Sequence, residues 1–263
     1  MAHVVYENFI LESKLTDLLN TKLNTRSLMT IDTDLAENAG MKKVINVYSY
    51  TGAVEDLAMG EGNTVKGAVS FSPVDYTVKV SQQTFEYYDE QAMTDPKIVD
   101  MGIQGGTQLM VNDLNEKFFA ELNKATLSHK YPKTGEFNYE AVVDALDKLN
   151  LEEENNLVLI LGPGLRSAIR KDADFLAARQ GELLFNGQIG NVAGVPVVIS
   201  KLVPANTGYL MEKGAVTLFV KKESEVEQER EAEIRQNTIV MRKVALVALT
   251  DATKVVKITQ ATV

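Results

Sequence analysis

The chain has 263 residues, 45% hydrophobic and 24% charged, an average soluble composition that excludes wholesale disorder and supplies ample core material. Acids outnumber bases 36 to 27, and the formal charge of −9 repels nucleic acid and anionic membrane instead of coating them. With no cysteine and only His3 and His129, disulfides, thiolate nucleophiles, cysteine-bound zinc and iron–sulfur clusters drop out, and imidazole chemistry nearly does.

No stretch reaches the roughly 18 apolar residues of a membrane helix, and Met1–Glu7 has neither a basic nor an apolar signal region. The expected location is therefore the cytosol, or a particle assembled there. Leu11, Leu15, Leu18, Leu19 and Leu23 then fall on one face of a short helix. Two readings stand: a surface helix on its own domain, or an arm that docks on a neighbour.

Val44–Tyr50 and Tyr76–Val80 are β-branched and aromatic runs, read as two strands of a hairpin. Its turn is expected at Met59–Thr64, among Gly52, Gly60, Gly62 and Gly67. A long two-stranded hairpin does not hold itself together in water, so a surface on another copy of the chain is expected to receive it.

Thr94-Asp95-Pro96 reads as a helix start, with Asp95 as the cap and Pro96 at the first helical position. Ile98, Met101, Leu109, Leu114, Phe118, Leu122 and Ala125 recur at near-helical spacing. Running from Pro96 to Thr126, such a helix would be about 45 Å long, more strut than core element. Gly102, Gly105 and Gly106 each cost it about 1 kcal/mol against alanine, so a close neighbour or a bend is expected there. His129 is read as sitting at the C-terminal end of this helix.

A mixed α/β unit follows from Asn138. Val142, Val143, Leu146 and Leu149 mark a helix, and Leu157–Leu161 a strand buried on both faces. Gly162-Pro163-Gly164 turns into a second helix, and Val195–Ile199 and Val216–Val220 are further strands. Glutamates then occupy every second position from Glu223 to Glu233. On a strand, the six would share one face and need bases opposite; on a helix, they would be a solvated surface. Local sequence leaves both readings open.

The glycine clusters carry no phosphate chemistry. Gly102–Thr107 follows no strand and lacks the Lys-Ser/Thr ending, and Leu161–Leu165 lacks the dinucleotide fingerprint. Ser128-His129 has no nucleophile elbow around it. Catalytic residues, metal ligands and cofactors are all expected to be absent, and the chain is read as a non-enzyme.

The order of these parts resembles the major capsid protein of tailed bacteriophages, the Hong Kong 97-like fold. Ser81–Glu90 is similar to that family's exit from the extended loop into the spine helix. Asn186–Val198 resembles its Gly-x-(Ile/Leu)-Gly…Gly-x-Pro-Val passage, and Val226–Ala232 its acidic-basic strand. The resemblance implies an α+β fold with an N-terminal arm (1–43), an extended β-hairpin loop (44–92) and a peripheral domain carrying the spine helix (93–136). An axial domain (137–220) and closing strands, mainly peripheral (221–263), complete it.

By the same resemblance, the tip residues Gly60, Glu61, Gly62, Asn63 and Lys66 and the arm residues Leu11, Leu15, Leu18 and Leu19 contact other subunits. The glutamates become a charge-paired strand: Glu225, Glu227, Glu229, Glu231 and Glu233, with Arg230 and Arg235 on it. Arg230, Arg235, Arg242 and Lys243 are the expected counter-charges, on neighbouring strands or subunits. The implied function is an icosahedral shell of hexamers and pentamers enclosing double-stranded DNA without specific binding, a virion component assembled in the host cytoplasm.

The arm begins almost at Met1 where some members carry a scaffold domain, so a separate scaffolding protein, or none, is expected beside a portal. Lys66 is read as a solubilising tip residue and not a crosslinking one. The alternatives are an encapsulin-like nanocompartment shell and an oligomeric α/β enzyme or binding protein.

Overall fold

Three β assemblies and one long helix organise the chain. The structure is a computed structural model that describes residues 25–132, 137–151, 154–172 and 190–261. The arm leucines Leu11, Leu15, Leu18, Leu19 and Leu23 lie outside the described residues. The first elements are β1 (Thr30–Asp32), the short helix α1 (Asp34–Glu37), β2 (Lys42–Thr51), β3 (Ala68–Thr77) and β4 (Lys79–Tyr88). Then come α2 (Asp89–Thr94), the spine helix α3 (Ile98–Leu122), β5 (Leu127–Tyr131), α4 (Tyr139–Leu149), β6 (Leu157–Leu161) and α5 (Pro163–Lys171). The chain closes with β7 (Asn191–Val192), β8 (Val195–Ile199), β9 (Thr207–Glu212), β10 (Val216–Glu231), β11 (Gln236–Leu249) and β12 (Val255–Gln260).

The strands form a four-stranded sheet β1-β10-β11-β4, a six-stranded sheet β5-β12-β9-β6-β8-β7 and the separate hairpin β2-β3. The spine helix packs on β4 and β11. Phe85 and Tyr87 of β4 and Ile239 and Met241 of β11 alternate onto its side of the sheet and join Val99, Ile103, Met110, Leu114, Phe118 and Leu122 in one core. A Cβ on Gly102 would sit 2.4 Å from the Phe85 ring, and one on Gly106 would sit 2.1 Å from Met241 Cε. Two of the three helix glycines thus admit side chains of the sheet, whereas Gly105 is exposed.

This close approach also corrects the sequence reading of the helix face. Met101 and Leu109, expected on the buried stripe, are 63% and 57% exposed. The small Gly106 and Thr107 are buried in their stead, because the sheet lies too near for larger residues. The helix spans 25 residues, about 37 Å, and begins two residues after Pro96. Asp95 ends α2, and its carboxylate accepts from the Lys97 N–H at 3.0 Å. At the far end, the helix stops at Leu122 because Leu127–Tyr131 is drawn into a parallel ladder with β12. His129 is therefore a strand residue of β5, with Nε2 3.9 Å from Asp144 Oδ2.

In the six-stranded sheet, all five residues of β6 are buried, as expected of a strand covered on both faces. α4 begins at Asn138, whose side chain accepts from the Ala141 N–H, and closes on Asn150 in the left-handed region. α5 carries Pro163 in its first turn. Leu149, Leu157, Leu159, Leu161, Leu165 and Ile169 form this unit's core. Two strands depart from the expected division of the chain. β4 pairs with β11 from Gln236↔Tyr88 to Ala245↔Lys79, so the ladder of the hairpin ends at Thr77. β12 pairs with β5 and β9, so the closing segment returns to the six-stranded sheet.

Candidate assembly interface

The hairpin has a buried root and a bare blade. At the root, Ile45 and Tyr76 pack against Leu35, Val78, Phe219 and Ala248, and the Tyr76 and Phe219 rings stack at 4.9 Å. Lys43 binds Asp32 and Asp34, and the Asp32 hydrogen bond holds its ammonium above the usual lysine range. Beyond the root, β2 and β3 keep an unbroken antiparallel register to Thr51↔Ala68. The pleat places Tyr48, Phe71, Tyr50 and Val69 on one face. Tyr48 is 70%, Phe71 67% and Tyr50 66% exposed, so the largest apolar side chains of the blade touch little of this chain.

The tip is a built loop, residues 52–67. A Cβ on Gly67 would meet Tyr50 Oη at 2.1 Å, so the glycine lets the ring lie along the loop. The Glu55 carboxylate accepts from the Thr64 N–H at 2.7 Å, from Thr64 Oγ1 at 2.6 Å and from the Val65 N–H at 3.1 Å. These bonds, led by the Thr64 hydroxyl, hold its carboxyl below the usual range. Gly60, Glu61, Gly62, Asn63 and Lys66 are all exposed at this end, Gly60 with a φ of +90°. Glu55 carries no local sequence signal, because its partner Thr64 lies nine residues away. Glu55→Ala is expected to speed hydrogen exchange at the Thr64 and Val65 amides while leaving exchange in β6 unchanged.

The glutamate run is a strand. β10 continues through it to Glu231, paired with β11 at Glu225↔Arg242, Glu227↔Val240, Glu229↔Thr238 and Glu231↔Gln236. One face therefore carries Glu225, Glu227, Glu229 and Glu231, and Glu233 lies in the turn beyond. A bulge at Glu223–Ser224, opposite Lys243, takes Glu223 out of the alternation and brings it to Arg26, whose Nη1 donates to it at 2.9 Å.

Lys222 pairs with Glu225 at 2.6 Å, and Arg242 pairs with Glu227. Arg235, in the turn, pairs with Glu90 at 2.9 Å. Arg230 points to the other face, to the buried Asp89 at 2.7 Å, which also accepts from Asn237 Nδ2 at 2.7 Å. Glu229, Glu231 and Glu233 are exposed and make no ion pair among the described residues.

Lys243 was expected as a counter-charge but is a different kind of group. It is 5% exposed, beneath the spine helix, and among the described residues its ammonium has no hydrogen-bond partner. Burial pushes its pKa down to about 8, against an opposing pull from Glu223. Glu223 is itself held below the usual range: burial pushes it up, and Arg26 outweighs that. The sign for Lys243 is definite. Its folded pKa near 8 lies under the ordinary 10.5, so the unfolded chain binds the proton more tightly. The cost of the buried charge is constant below pH 8 and is relieved as pH rises from about 8 to 10.5. Stability should climb by about 2–3 kcal/mol over that window, and this slope should vanish in Lys243→Met, as read by denaturant titration.

The chain thus combines an exposed aromatic blade on a rooted hairpin, a spine helix on a four-stranded sheet and an appended α/β unit. Known proteins share this architecture. The bacteriophage PhiM1 mature capsid is similar over 100% of this chain and 90% of its own, with a TM-score of 0.73 and 10% identity. A virus-like particle from Pyrococcus furiosus is similar over 97% and 100%, with a TM-score of 0.66 and 12% identity. These likenesses define the fold, Hong Kong 97-like and α+β.

In sequence, the major capsid protein of Staphylococcus phage phiMR11 is 32% identical over 120 residues, which are 44% of each chain. The match thus spans less than half of that curated relative. The phage capsid protein family matches residues 72–258, and the chain belongs to that family. It is a structural family of the virion and not an enzyme family, so the reading as an oligomeric enzyme falls.

Proposed function

We propose that the chain is the major capsid subunit of a tailed phage, assembling as hexamers and pentamers into an icosahedral shell around double-stranded DNA. The bare blade carries this reading: Tyr48, Tyr50 and Phe71 are aligned on one face and each is about two-thirds exposed among the described residues, with only the tip glycines beside Tyr50, which fits a surface awaiting a neighbour. The tip residues Gly60, Glu61, Gly62, Asn63 and Lys66 then reach the adjacent subunit. The arm leucines Leu11, Leu15, Leu18 and Leu19 reach another. Glu229, Glu231 and Glu233 find their counter-charges across a subunit boundary, their own strand having supplied none. A separate scaffolding protein and a portal complete assembly in the host cytoplasm. The −9 charge suits a container that holds DNA without gripping it.

A second reading is an encapsulin-like shell around protein cargo; the virus-like particle from Pyrococcus furiosus shares the fold. Nuclease treatment of purified particles separates the two. Protected double-stranded DNA is expected; particles holding only protein would overturn the phage reading.

A further inference from the structure

We infer that the seam between the spine helix and the four-stranded sheet holds one small monovalent anion, of the chloride class, on the Lys243 ammonium. Five charged groups meet there. Arg26 from the N-terminal turn pairs with Glu223 of β10, and Lys117 pairs with Asp113 within the spine helix at 2.5 Å. Each pair neutralises itself, which leaves Lys243 of β11 as one positive charge, 5% exposed and without an acceptor among the described residues. An uncompensated buried ammonium is costly unless something completes it.

The space for that partner is present. A cavity of about 20 Å³ borders Lys243, with Ser81 and Lys117 on its polar side and Met110, Leu114 and Val247 on its apolar side. That space takes one small body, and the single positive charge calls for a monovalent one. The polar side offers donors. Lys117 gives hydrogens to Asp113 and, at 2.8 Å, to Ser81 Oγ, which leaves the ammonium one more. The Ser81 oxygen accepts that bond, so its own hydrogen is free to donate inward. Asp113 also borders the cavity, with Oδ2 taken by Lys117. A water there would accept two of these donors and leave the charge standing. A small anion accepts from Lys243, Ser81 and Lys117 together and cancels the charge. It would thereby tie the helix to β4 and β11.

The test uses the full chain in potassium chloride against potassium methanesulfonate at equal ionic strength. Chloride is expected to raise the thermal unfolding midpoint by about 3 °C and to saturate. It should also broaden the chloride-35 resonance in proportion to protein. In Lys243→Met, both effects should disappear; if that variant fails to fold, Lys243→Gln is read in the same way. A midpoint indifferent to the anion, or a variant that keeps the wild-type response, would overturn the site and leave a water in the cavity.

Discussion

Deletion of residues 55–68 is expected to leave the subunit folded and to block shell closure. The cut removes the Glu55–Thr64 clasp and the exposed tip, leaving Thr51-Gly52-Ala53-Val54 to connect the paired Tyr50 and Val69. A connection of that length suits a hairpin. Nothing in the three core clusters is lost, because none draws on residues 55–68. The root contacts of Ile45 and Tyr76 with Phe219 remain. Subunit stability should therefore change by less than about 0.5 kcal/mol. Assembly, in contrast, loses the segment proposed to reach the adjacent subunit. Thermal unfolding and sedimentation of the same preparation read both halves. Closed shells formed by the deletion variant would contradict the proposed role of the tip.

The second large effect concerns Asp89. This carboxylate stands where β4 gives way to α2, buried, and accepts from Arg230 of β10 and Asn237 of β11. Its N–H donates to the Arg235 carbonyl at 3.1 Å. Asp89→Ala would strand Asn237, which is 1% exposed, and leave Arg230 without its acid. Losing one member of such a buried set costs about 3 kcal/mol, with the half-exposed Arg230 keeping the figure at the low end. Glu229→Gln and Glu231→Gln provide the contrast. Both side chains are exposed and unpaired among the described residues, so unfolding of the subunit should barely move. Equal losses in all three variants would contradict the assignment of Asp89 as the buried anchor.

These particulars mark how far the sequence reads on its own. The buried run of β6 and the hairpin strands were legible because each carries a local signal: unbroken apolar residues in the one, β-branched residues around glycines in the other. The glutamate run was not. Alternation fits a strand, but propensity favours a helix, and only pairing with β4 through β11 decides. The exposure of Met101 and Leu109 was hidden because the helix is apolar on both sides, and the nearness of Phe85 and Met241 selects the side with glycines.

His129 and β12 were misplaced for one reason. Their parallel partnership joins segments more than a hundred residues apart, and no local pattern reports it. Of the candidate interface, the tip was visible through its glycines. Glu55, Asp89 and the lone charge of Lys243 were not, since each is defined by partners, or their absence, on distant elements.

The central claim is that the blade of the hairpin finds its core on another copy. Cryo-electron microscopy of particles purified from cells producing the full chain, with its scaffolding protein if one is needed, tests it directly. The expected map is a closed icosahedral shell in which the Tyr48–Phe71 face lies against a neighbouring subunit. A chain that stays monomeric or dimeric at every concentration, or a shell whose hairpins stand free in solvent, would contradict it.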